Sequence, residues 1–289
     1  MPQPSISYRQ AQQEAAERLS RLPHASAKLE ATLLLCHLLQ VPRSHLFAWP
    51  EKPLTPDQQQ AYEALIQRRL GGEPIAHITG EREFWSLPLR ITADTLIPRP
   101  ETELLVERAL KHLVTLSAPR IADLGTGSGA IALALASERP DALIHASDRS
   151  TAALTVASGN AANLKLHNVS FFPGNWCHAL PHGVGYDLIL SNPPYIETDD
   201  PHLSQGDLPR EPARALVSGQ DGLDDIREIA AQSPAYLKPG GWLLLEHGEG
   251  QAPSVRQILK QRGFTAIATH KDLARRPRLT EGRMPPEGE

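Results

Sequence analysis

From residue 120 onward the chain alternates short apolar stretches with helical stretches, and this alternation limits the possible folds more than any other feature of the sequence. Strands are predicted at Arg120–Leu124, Leu143–Ser147, Val169–Phe172, Asp187–Ser191, Trp242–Glu246 and Phe264–Thr269. Strands that alternate with helices form a doubly wound, mostly parallel sheet. Ligands bind such a sheet beyond the carboxyl ends of its strands, so we expect the functional residues there.

Residues 1–75 predict a small helical domain instead. Ser7 and Gln10 have the spacing of a capping box, and Thr55-Pro56-Asp57-Gln58 combines a capping residue, a proline and an acid at a helix start. A further helix is predicted at 26–40. Its apolar face is expected to comprise Leu29, Leu33 and Cys36, with Leu34 and Leu38 nearby.

Two further segments complete the predicted domain organisation. Residues 76–99 predict a β-hairpin linker, because 84–91 reads as two short extended pieces around a turn. The larger α/β domain is then predicted at 100–283. Residues 284–289 carry two prolines and two acids and predict a disordered tail.

Charge and apolar content narrow the classes of function. The formal net charge is −4, whereas nucleic-acid-binding proteins usually carry an excess of basic residues. No apolar run approaches the roughly 18 residues that a membrane-spanning helix needs. Cys36 and Cys177 lie outside any CxxC or Cys/His cluster, so no metal is expected. These features predict a cytoplasmic protein that requires neither a membrane nor direct contact with nucleic acid.

A glycine-rich loop joins the first predicted strand to the following helix. Glycines permit tight turns and close backbone approach to a ligand, and the helix start offers free amides. Asp148 ends the next strand about 20 residues further on, where a carboxylate can accept both hydroxyls of a ribose. The loop residues predicted to bind a nucleoside-containing cofactor are Asp123, Gly125, Thr126, Gly127, Ser128 and Gly129.

Two cofactors fit this loop. The stretch from Gly125 to Ala130 satisfies GxGxxA, the pattern of dinucleotide-binding loops. Asp123 lies two residues before the first glycine, a position that suits the cationic amino group of S-adenosylmethionine and is unfavourable for a pyrophosphate. We therefore expect S-adenosylmethionine, with NAD and a glycine turn that binds no ligand as the alternatives.

Asn175 and Trp176 follow the third predicted strand, at a position that lies beside the adenine in this fold. We expect Asn175 to hydrogen bond the exocyclic amine of the adenine and Trp176 to stack on its ring. A lone tryptophan fits a core or a lid equally well, so a structural role for Trp176 is the alternative.

The tetrapeptide Asn192-Pro193-Pro194-Tyr195 follows the fourth predicted strand and is the most specific motif of the chain. Two prolines cannot continue a sheet interior and hold the backbone extended, so the Pro193 carbonyl can point into a pocket. This carbonyl and the Asn192 side-chain oxygen can accept both hydrogens of a planar NH2 group, and Tyr195 supplies an aromatic face. Asn192, Pro193 and Tyr195 are predicted to be catalytic, all four residues to bind substrate, and Asn192 also to contact the cofactor.

The chemistry of an amide explains why such a motif is needed. An amide nitrogen is a poor nucleophile because its lone pair is delocalised. Hydrogen bonds to the NH2 group favour pyramidalisation, and placement in a good attack geometry contributes up to roughly 7–11 kcal/mol. The motif thus predicts methyl transfer to an amide-type nitrogen. An adenine N6 amine on DNA or RNA fits the same acceptors once the base is extruded, and a plain Pro-Pro turn is the structural alternative.

With these motifs the sequence resembles the peptide chain release factor N5-glutamine methyltransferases, the HemK/PrmC family, over nearly the whole chain. The most selective part of the resemblance is the stretch Ile97-Pro98-Arg99-Pro100-Glu101-Thr102-Glu103, since the NPPY motif alone also occurs in adenine-N6 methyltransferases. The other matching stretches are Phe84-Trp85, 192–196, Pro201–Gly206, Glu211-Pro212 and 244–248.

The resemblance implies a class I methyltransferase fold, S-adenosylmethionine as donor, and the glutamine of a Gly-Gly-Gln loop in bacterial release factors as acceptor. It implies that Gly125–Gly129, Asp148 and Trp176 form the cofactor site, that Asn192–Tyr195 holds the glutamine, and that the helical domain docks the release factor. Family members commonly have an acid at the position of Asn175, whose oxygen can still bond the adenine amine, so we expect the same cofactor. His247 is expected to be a structural histidine.

Overall fold

The computed structural model describes residues 6–23 and 26–287, and the chain divides into two compact units. The first, here called the helical unit, comprises Met1–Glu81 and Ser204–Arg210. The second, here called the α/β unit, comprises Arg82–Leu203 and Glu211–Glu289. The grouping of Ser204–Arg210 with the helical unit is a feature that the linear sequence does not indicate.

The described part of the helical unit contains five α-helices. They are α1 (Tyr8–Leu19), α2 (Ala27–Leu39), α3 (Arg43–Ala48), α4 (Pro56–Leu70) and α5 (Ile75–Thr79). The predicted starts of α1 and α4 are confirmed, and each is closed by a capping box, with Ser7 and Gln10 at α1 and Thr55 and Gln58 at α4. The short helices α3 and α5 were not predicted, because neither is long enough to show a helical period.

The predicted apolar face of α2 is wrong in part. Leu29 is 42% exposed, whereas the side chains that pack in the core of the unit are those of Ala31, Leu34 and Leu35. Apolar residues occur on nearly every side of α2, so their periodicity does not single out one face. Packing against α1 and α4 selects the buried side.

A buried ion cluster holds the segment Ser204–Arg210 within the helical unit. The guanidinium of Arg69 is almost fully buried and donates to Glu30 Oε2 at 2.8 Å and to Asp207 Oδ1 at 2.7 Å. A buried cation without partners costs several kcal/mol, and the carboxylates of Glu30 and Asp207 offset this cost.

The predicted hairpin is formed by β1 (Glu81–Phe84) and β2 (Leu87–Arg90), and all of its residues except Glu81 belong to the α/β unit. The turn residues Trp85 and Ser86 both have positive φ, 52° and 59°, as a two-residue hairpin turn of type I′ requires. The Trp85 amide donates to the Glu103 carboxylate at 3.0 Å, which fixes this turn against the helix that follows.

In the described residues the main sheet has seven strands. They are β3 (Arg120–Leu124), β4 (Leu143–Asp148), β5 (Val169–Pro173), β6 (Tyr186–Ser191), β7 (Leu237–Glu246), β8 (Thr265–Lys271) and β9 (Pro277–Arg283), in the spatial order β5-β4-β3-β6-β7-β9-β8. The accompanying helices are α6 (Glu103–Leu113), α7 (Ala130–Glu138), α8 (Thr151–Leu164), α9 (Asp224–Gln232) and α10 (Ala252–Gln261). The six predicted strands are confirmed, with ends that differ by up to five residues.

Strand β9 was not predicted. It lies between β7 and β8 and is antiparallel to both. Its sequence, Pro-Arg-Leu-Thr-Glu-Gly-Arg, has neither an apolar run nor a clear alternation, so local pattern gives no indication of a strand. Pairing on both sides compensates for this weak preference.

The sheet positions a ligand site at the junction of β3 and β6. Strand β3 pairs in parallel with β4 on one side and with β6 on the other, so the strand order reverses at this point. Crevices at such a reversal open at the carboxyl ends of the strands.

The C-terminal segment after β9 continues along the α/β unit. Met284 packs against the core of the α/β unit and its amide donates to the Gly241 carbonyl at 2.8 Å, so order extends into the segment predicted as a tail, of which Gly288 and Glu289 lie outside the described residues. No described helix combines the length and apolar character that crossing a bilayer requires.

Candidate active site

A cleft opens at the carboxyl ends of strands β3 to β6, and all of its lining belongs to the α/β unit. Its residues come from the loops that follow four neighbouring strands and from two more distant segments. They are Asp94, Thr95, Leu96, Gly125, Gly127, Asp148, Arg149, Ser150, Ala153, Gly174, Asn175, Trp176, Asn192, Pro194, Arg214 and Ala215. The structure thus brings together the glycine loop, the strand-end acid, Asn175-Trp176 and part of the NPPY tetrapeptide, as the sequence predicted.

The glycine loop adopts a backbone that other residues rarely take. Gly125 and Gly127 have φ of 71° and 56°, in the left-handed region that favours glycine. A Cβ on Gly125 would lie 3.0 Å from Cζ3 of Trp176, whereas one on Gly127 would meet nothing within 4 Å. The loop therefore packs on Trp176 at one glycine and leaves open space for a ligand at the next.

Four amides of this loop are already paired within the protein. Those of Gly125 and Thr126 donate to the Ser147 carbonyl at 2.8 and 2.9 Å, and that of Gly129 donates to Thr126 at 2.8 Å. The Gly127 amide donates to Asp148 Oδ2 at 2.9 Å. A pyrophosphate binds through backbone amides that are free to donate to it, and these four amides already donate to acceptors of the protein.

The Asp148 carboxylate lines the cleft in a fixed orientation. Its Oδ2 accepts the Gly127 amide, and its Oδ1 accepts the Ser150 amide at 2.8 Å. Each carboxylate oxygen can accept a second hydrogen bond. A pair of vicinal hydroxyls, as in a ribose, matches these two remaining acceptor positions.

Asp123 ends strand β3, is fully buried and is not one of the residues that line the cleft. Its Oδ2 accepts the Thr126 hydroxyl at 2.6 Å and the Ala132 amide at 3.2 Å. Its Oδ1 has no hydrogen-bond partner among the described residues, and burial raises the pKa of this carboxyl to about 7. A buried acid with one free oxygen is suited to an ammonium group, because a cation there would restore the ionised form.

Thr126 and Ser128, both predicted to bind the cofactor, are buried rather than exposed to the cleft. Thr126 supports Asp123 through its hydroxyl, and the Ser128 carbonyl accepts the side chain of Asn160 at 2.9 Å. Neither side chain reaches the cleft, so any contact of theirs with a cofactor remains a prediction.

Trp176 has features of both roles that the sequence left open, which were a structural role in the core and a contact with the cofactor. It is 8% exposed, packs in the core cluster of the α/β unit, and still lines the cleft. Its φ of 46° is uncommon for a residue with a large side chain. Asn175 is exposed and also lines the cleft.

The NPPY tetrapeptide follows β6, whose end is tied to β3 by a hydrogen bond of 2.6 Å from the Ser191 hydroxyl to the Leu124 carbonyl. Asn192 and Pro194 line the cleft, whereas Pro193 and Tyr195 do not. The Asn192 Nδ2 donates to the Thr102 hydroxyl at 3.2 Å. Among the described residues no donor reaches Asn192 Oδ1 or the Pro193 carbonyl, so both acceptors that the sequence predicted carry no internal hydrogen bond.

Two arginines of the cleft were not predicted as site residues. Arg149 donates to the Arg214 carbonyl at 2.8 Å, and Arg214 donates to the Ser150 hydroxyl at 2.7 Å. They link the loop after β4 to a segment far away in sequence, which no local motif indicates.

His247, by contrast, bonds the Gly248 carbonyl and the Thr280 hydroxyl, both at 2.8 Å, and the prediction of a structural histidine is confirmed.

The strand order, the internally paired glycine loop and the strand-end acid together define a class I S-adenosylmethionine-dependent methyltransferase. Comparison with known proteins agrees. Residues 10–80 match the family model of the PrmC N-terminal domain, and residues 100–219 match that of the Methyltransferase small domain. A methyltransferase structure from Pyrococcus furiosus is similar with a TM-score of 0.51 and 14% sequence identity, covering 76% of this chain and 97% of that one, which supports the fold.

Sequence relatives identify the family. A release factor glutamine methyltransferase of Vibrio cholerae is 47% identical over 285 residues, which cover 99% of both chains. Another from Xylella fastidiosa is 50% identical over 271 residues, which cover 94% of this chain and 96% of the relative. The chain belongs to the release factor glutamine methyltransferase family, as its resemblance to the HemK/PrmC proteins predicted.

Proposed function

We propose that the protein transfers the methyl group of S-adenosylmethionine to the side-chain nitrogen, N5, of the glutamine in the Gly-Gly-Gln motif of a peptide chain release factor. The observation that carries this proposal is the pair of oxygen acceptors after β6, Asn192 Oδ1 and the Pro193 carbonyl, which no described residue satisfies. The names of the relatives in Vibrio cholerae and Xylella fastidiosa support a release factor as the substrate.

The residues of the cleft fit the donor. S-adenosylmethionine, when bound, supplies an electrophilic methyl group on a sulfonium sulfur. Asp148 would accept the ribose hydroxyls with the lone pairs that its two backbone amides leave free. The unpartnered Oδ1 of Asp123 would accept the amino group. Asn175 and Trp176, which also line the cleft, would contact the adenine.

The acceptor nitrogen requires placement more than it requires a base. The glutamine NH2 has two hydrogens, and the two free oxygens at Asn192 and Pro193 match them in number and kind. Holding both hydrogens orients the nitrogen lone pair and reduces the freedom that a productive encounter would otherwise have to lose. The nitrogen releases a proton after transfer. Tyr195 and Pro194 would cover the flat amide.

We also infer that the helical unit docks the release factor. Two aromatic side chains of this unit are largely exposed, Phe47 at 90% and Trp49 at 60%, and exposed aromatics are typical of interaction surfaces. Arg9, Lys28 and Arg43 line the depression beside Phe47. Because release factors act with ribosomes, we place the reaction in the cytoplasm. Since the acceptor is a protein, the enzyme needs no direct contact with nucleic acid.

Mass spectrometry of a purified release factor after incubation with the enzyme and S-adenosylmethionine tests the proposal. We expect one added methyl group, localised by fragmentation to the glutamine of Gly-Gly-Gln. A release factor with glutamate at that position serves as the matched substrate control, because it keeps the shape of the side chain and lacks the NH2 group.

The same assay separates the alternative acceptor. DNA and RNA would be supplied with labelled donor in parallel reactions, with nuclease digestion of the product as a check. Methylation of nucleic acid and not of the release factor would contradict the proposal and favour an adenine-N6 methyltransferase. The Asn192→Ala variant is expected to lose most turnover with the protein acceptor while it still binds the donor.

A further inference from the structure

The stretch 97–103 is the most selective part of the family resemblance, yet none of its residues lines the cleft. Thr102 ends the short 3-10 helix Pro100–Thr102 within this stretch and is buried. Its hydroxyl oxygen accepts the Asn192 Nδ2 at 3.2 Å. A residue of the stretch thus touches the side chain that we propose to hold the acceptor.

The backbone around Thr102 is fixed by a buried acid. Glu211 accepts the Ile97 amide at 2.9 Å and also the guanidinium of Arg99. The Thr102 amide in turn donates to the Arg99 carbonyl at 3.1 Å. The matching stretch Glu211-Pro212 therefore clamps 97–99 and, through it, places Thr102.

The carboxylate of Glu246 lies close enough to the Thr102 hydroxyl for the hydroxyl to lower the pKa of this acid, an effect smaller than the opposing effect of burial. Glu246 ends strand β7 and is 3% exposed, and its Oε2 has no hydrogen-bond partner among the described residues. The Tyr195 hydroxyl lies 3.5 Å from its Oε1. Arg278 and Glu101 are the other charged groups whose fields act on this carboxyl, and burial raises its pKa to about 7.

The chemistry of a hydroxyl links these contacts. Thr102 has one proton to donate, and an ionised Glu246 is an acceptor, so the proton turns to Glu246 and the oxygen is left to accept from Asn192. The Asn192 amide must then present Nδ2 to Thr102 and Oδ1 away from it. A protonated Glu246 can donate to Thr102 instead, which allows the hydroxyl to donate to Oδ1 and the amide to turn over.

We propose that Thr102 and Glu246 are positioning residues that hold the Asn192 amide with its oxygen towards the NH2 group of the acceptor. This inference rests on the proposed function, since it assumes an acceptor with NH2 hydrogens. The inference gives a function to Thr102 and to Glu246, the buried acid of the stretch 244–248. Both would act through Asn192 and not through direct contact with the substrate.

The test compares Thr102→Val, which keeps the shape and removes the hydroxyl, with Thr102→Ser, which keeps the hydroxyl. Turnover of a release factor would be measured at saturating donor, and binding of S-adenosylhomocysteine by calorimetry. We expect Thr102→Val to lose tenfold or more in kcat with a Kd for S-adenosylhomocysteine within twofold of wild type, and Thr102→Ser to recover most of the rate. The affinity of a Gly-Gly-Gln peptide for the enzyme with S-adenosylhomocysteine should fall in Thr102→Val as well.

The pH profile separates positioning from a merely structural role. In wild type, kcat at saturating donor should fall as the pH decreases through about 7, because protonation of Glu246 releases the orientation of Asn192. Glu246→Gln, which can donate to Thr102 at every pH, should give a low rate without this dependence. It also serves as a second variant if Thr102→Val fails to fold.

The possible outcomes are distinct. A wild-type enzyme that does not methylate the release factor would overturn the proposed function and this inference with it. An active wild type with an equally active Thr102→Val, or with a pH profile that Glu246→Gln leaves unchanged, would overturn the inference alone.

Discussion

Replacement of Asp148 by asparagine changes one atom of the proposed cofactor site and has a calculable effect. Both carboxylate oxygens accept a backbone amide, from Gly127 at 2.9 Å and from Ser150 at 2.8 Å. An asparagine offers one acceptor oxygen and one NH2 group. It therefore leaves one of the two backbone amides facing another donor, and it removes the charged acceptor for one ribose hydroxyl.

The magnitude follows from the loss of one hydrogen bond to a charged group, which is about 1.5–3 kcal/mol. This corresponds to a Kd for S-adenosylhomocysteine that is roughly 10- to 150-fold higher. Isothermal titration calorimetry on wild type and Asp148→Asn measures it directly. We expect Asp148→Ala to show a loss of at least the same size, because it removes both acceptors.

Asp141→Asn is the matched control for this experiment. Asp141 also accepts a backbone amide, from Ala118 at 2.9 Å, and pairs with Arg139, but it does not line the cleft. Its variant should bind S-adenosylhomocysteine like wild type. If Asp148→Asn bound within twofold of wild type, Asp148 would not be the acceptor of the ribose hydroxyls.

Three further predictions concern other parts of the molecule. Burial raises the pKa of Asp123 to about 7, and a cationic ligand needs the ionised form of this acid. The affinity for S-adenosylmethionine should therefore rise as the pH increases towards about 7 and then level off. In calorimetry, Asp123→Asn should abolish this pH dependence. Arg69→Leu leaves Glu30 and Asp207 without their buried cation and should destabilise the protein by about 3–5 kcal/mol in denaturant unfolding; an unchanged transition would refute a structural role for the cluster. Phe47→Ser should raise KM for an intact release factor and leave turnover of a short Gly-Gly-Gln peptide unchanged; equal effects on both substrates would exclude docking at this surface.

Several features of the site were predictable because they depend on neighbours in sequence. A glycine loop between a strand and a helix, followed by an acid at the end of the next strand, has one arrangement in a parallel α/β sheet. The structure places Gly125, Gly127 and Asp148 in one cleft accordingly. The two prolines after β6 cannot donate backbone hydrogen bonds, so the break in the hydrogen-bond ladder at Pro193 and Pro194 was also expected.

The contact that the stretch 97–103 makes with the NPPY tetrapeptide could not be predicted from the sequence. The resemblance identified this stretch as selective, yet nothing in the sequence relates Thr102 to Asn192, which lies 90 positions away. The contact exists because Glu211 binds this stretch and the strand order brings the end of β6 beside it. Such a relation between distant residues has no periodicity for the sequence to display.

The sequence by itself determined the alternation of strands and helices, the glycine turns and the capped helix starts, because each depends on backbone preferences and hydrogen bonds within a few residues. Tertiary structure alone decided the buried side of α2, the insertion of β9 between β7 and β8, and the meeting of Arg149 with Arg214. In these cases the local preference is weak or evenly balanced. The free energy of packing and pairing with distant residues then selects one arrangement.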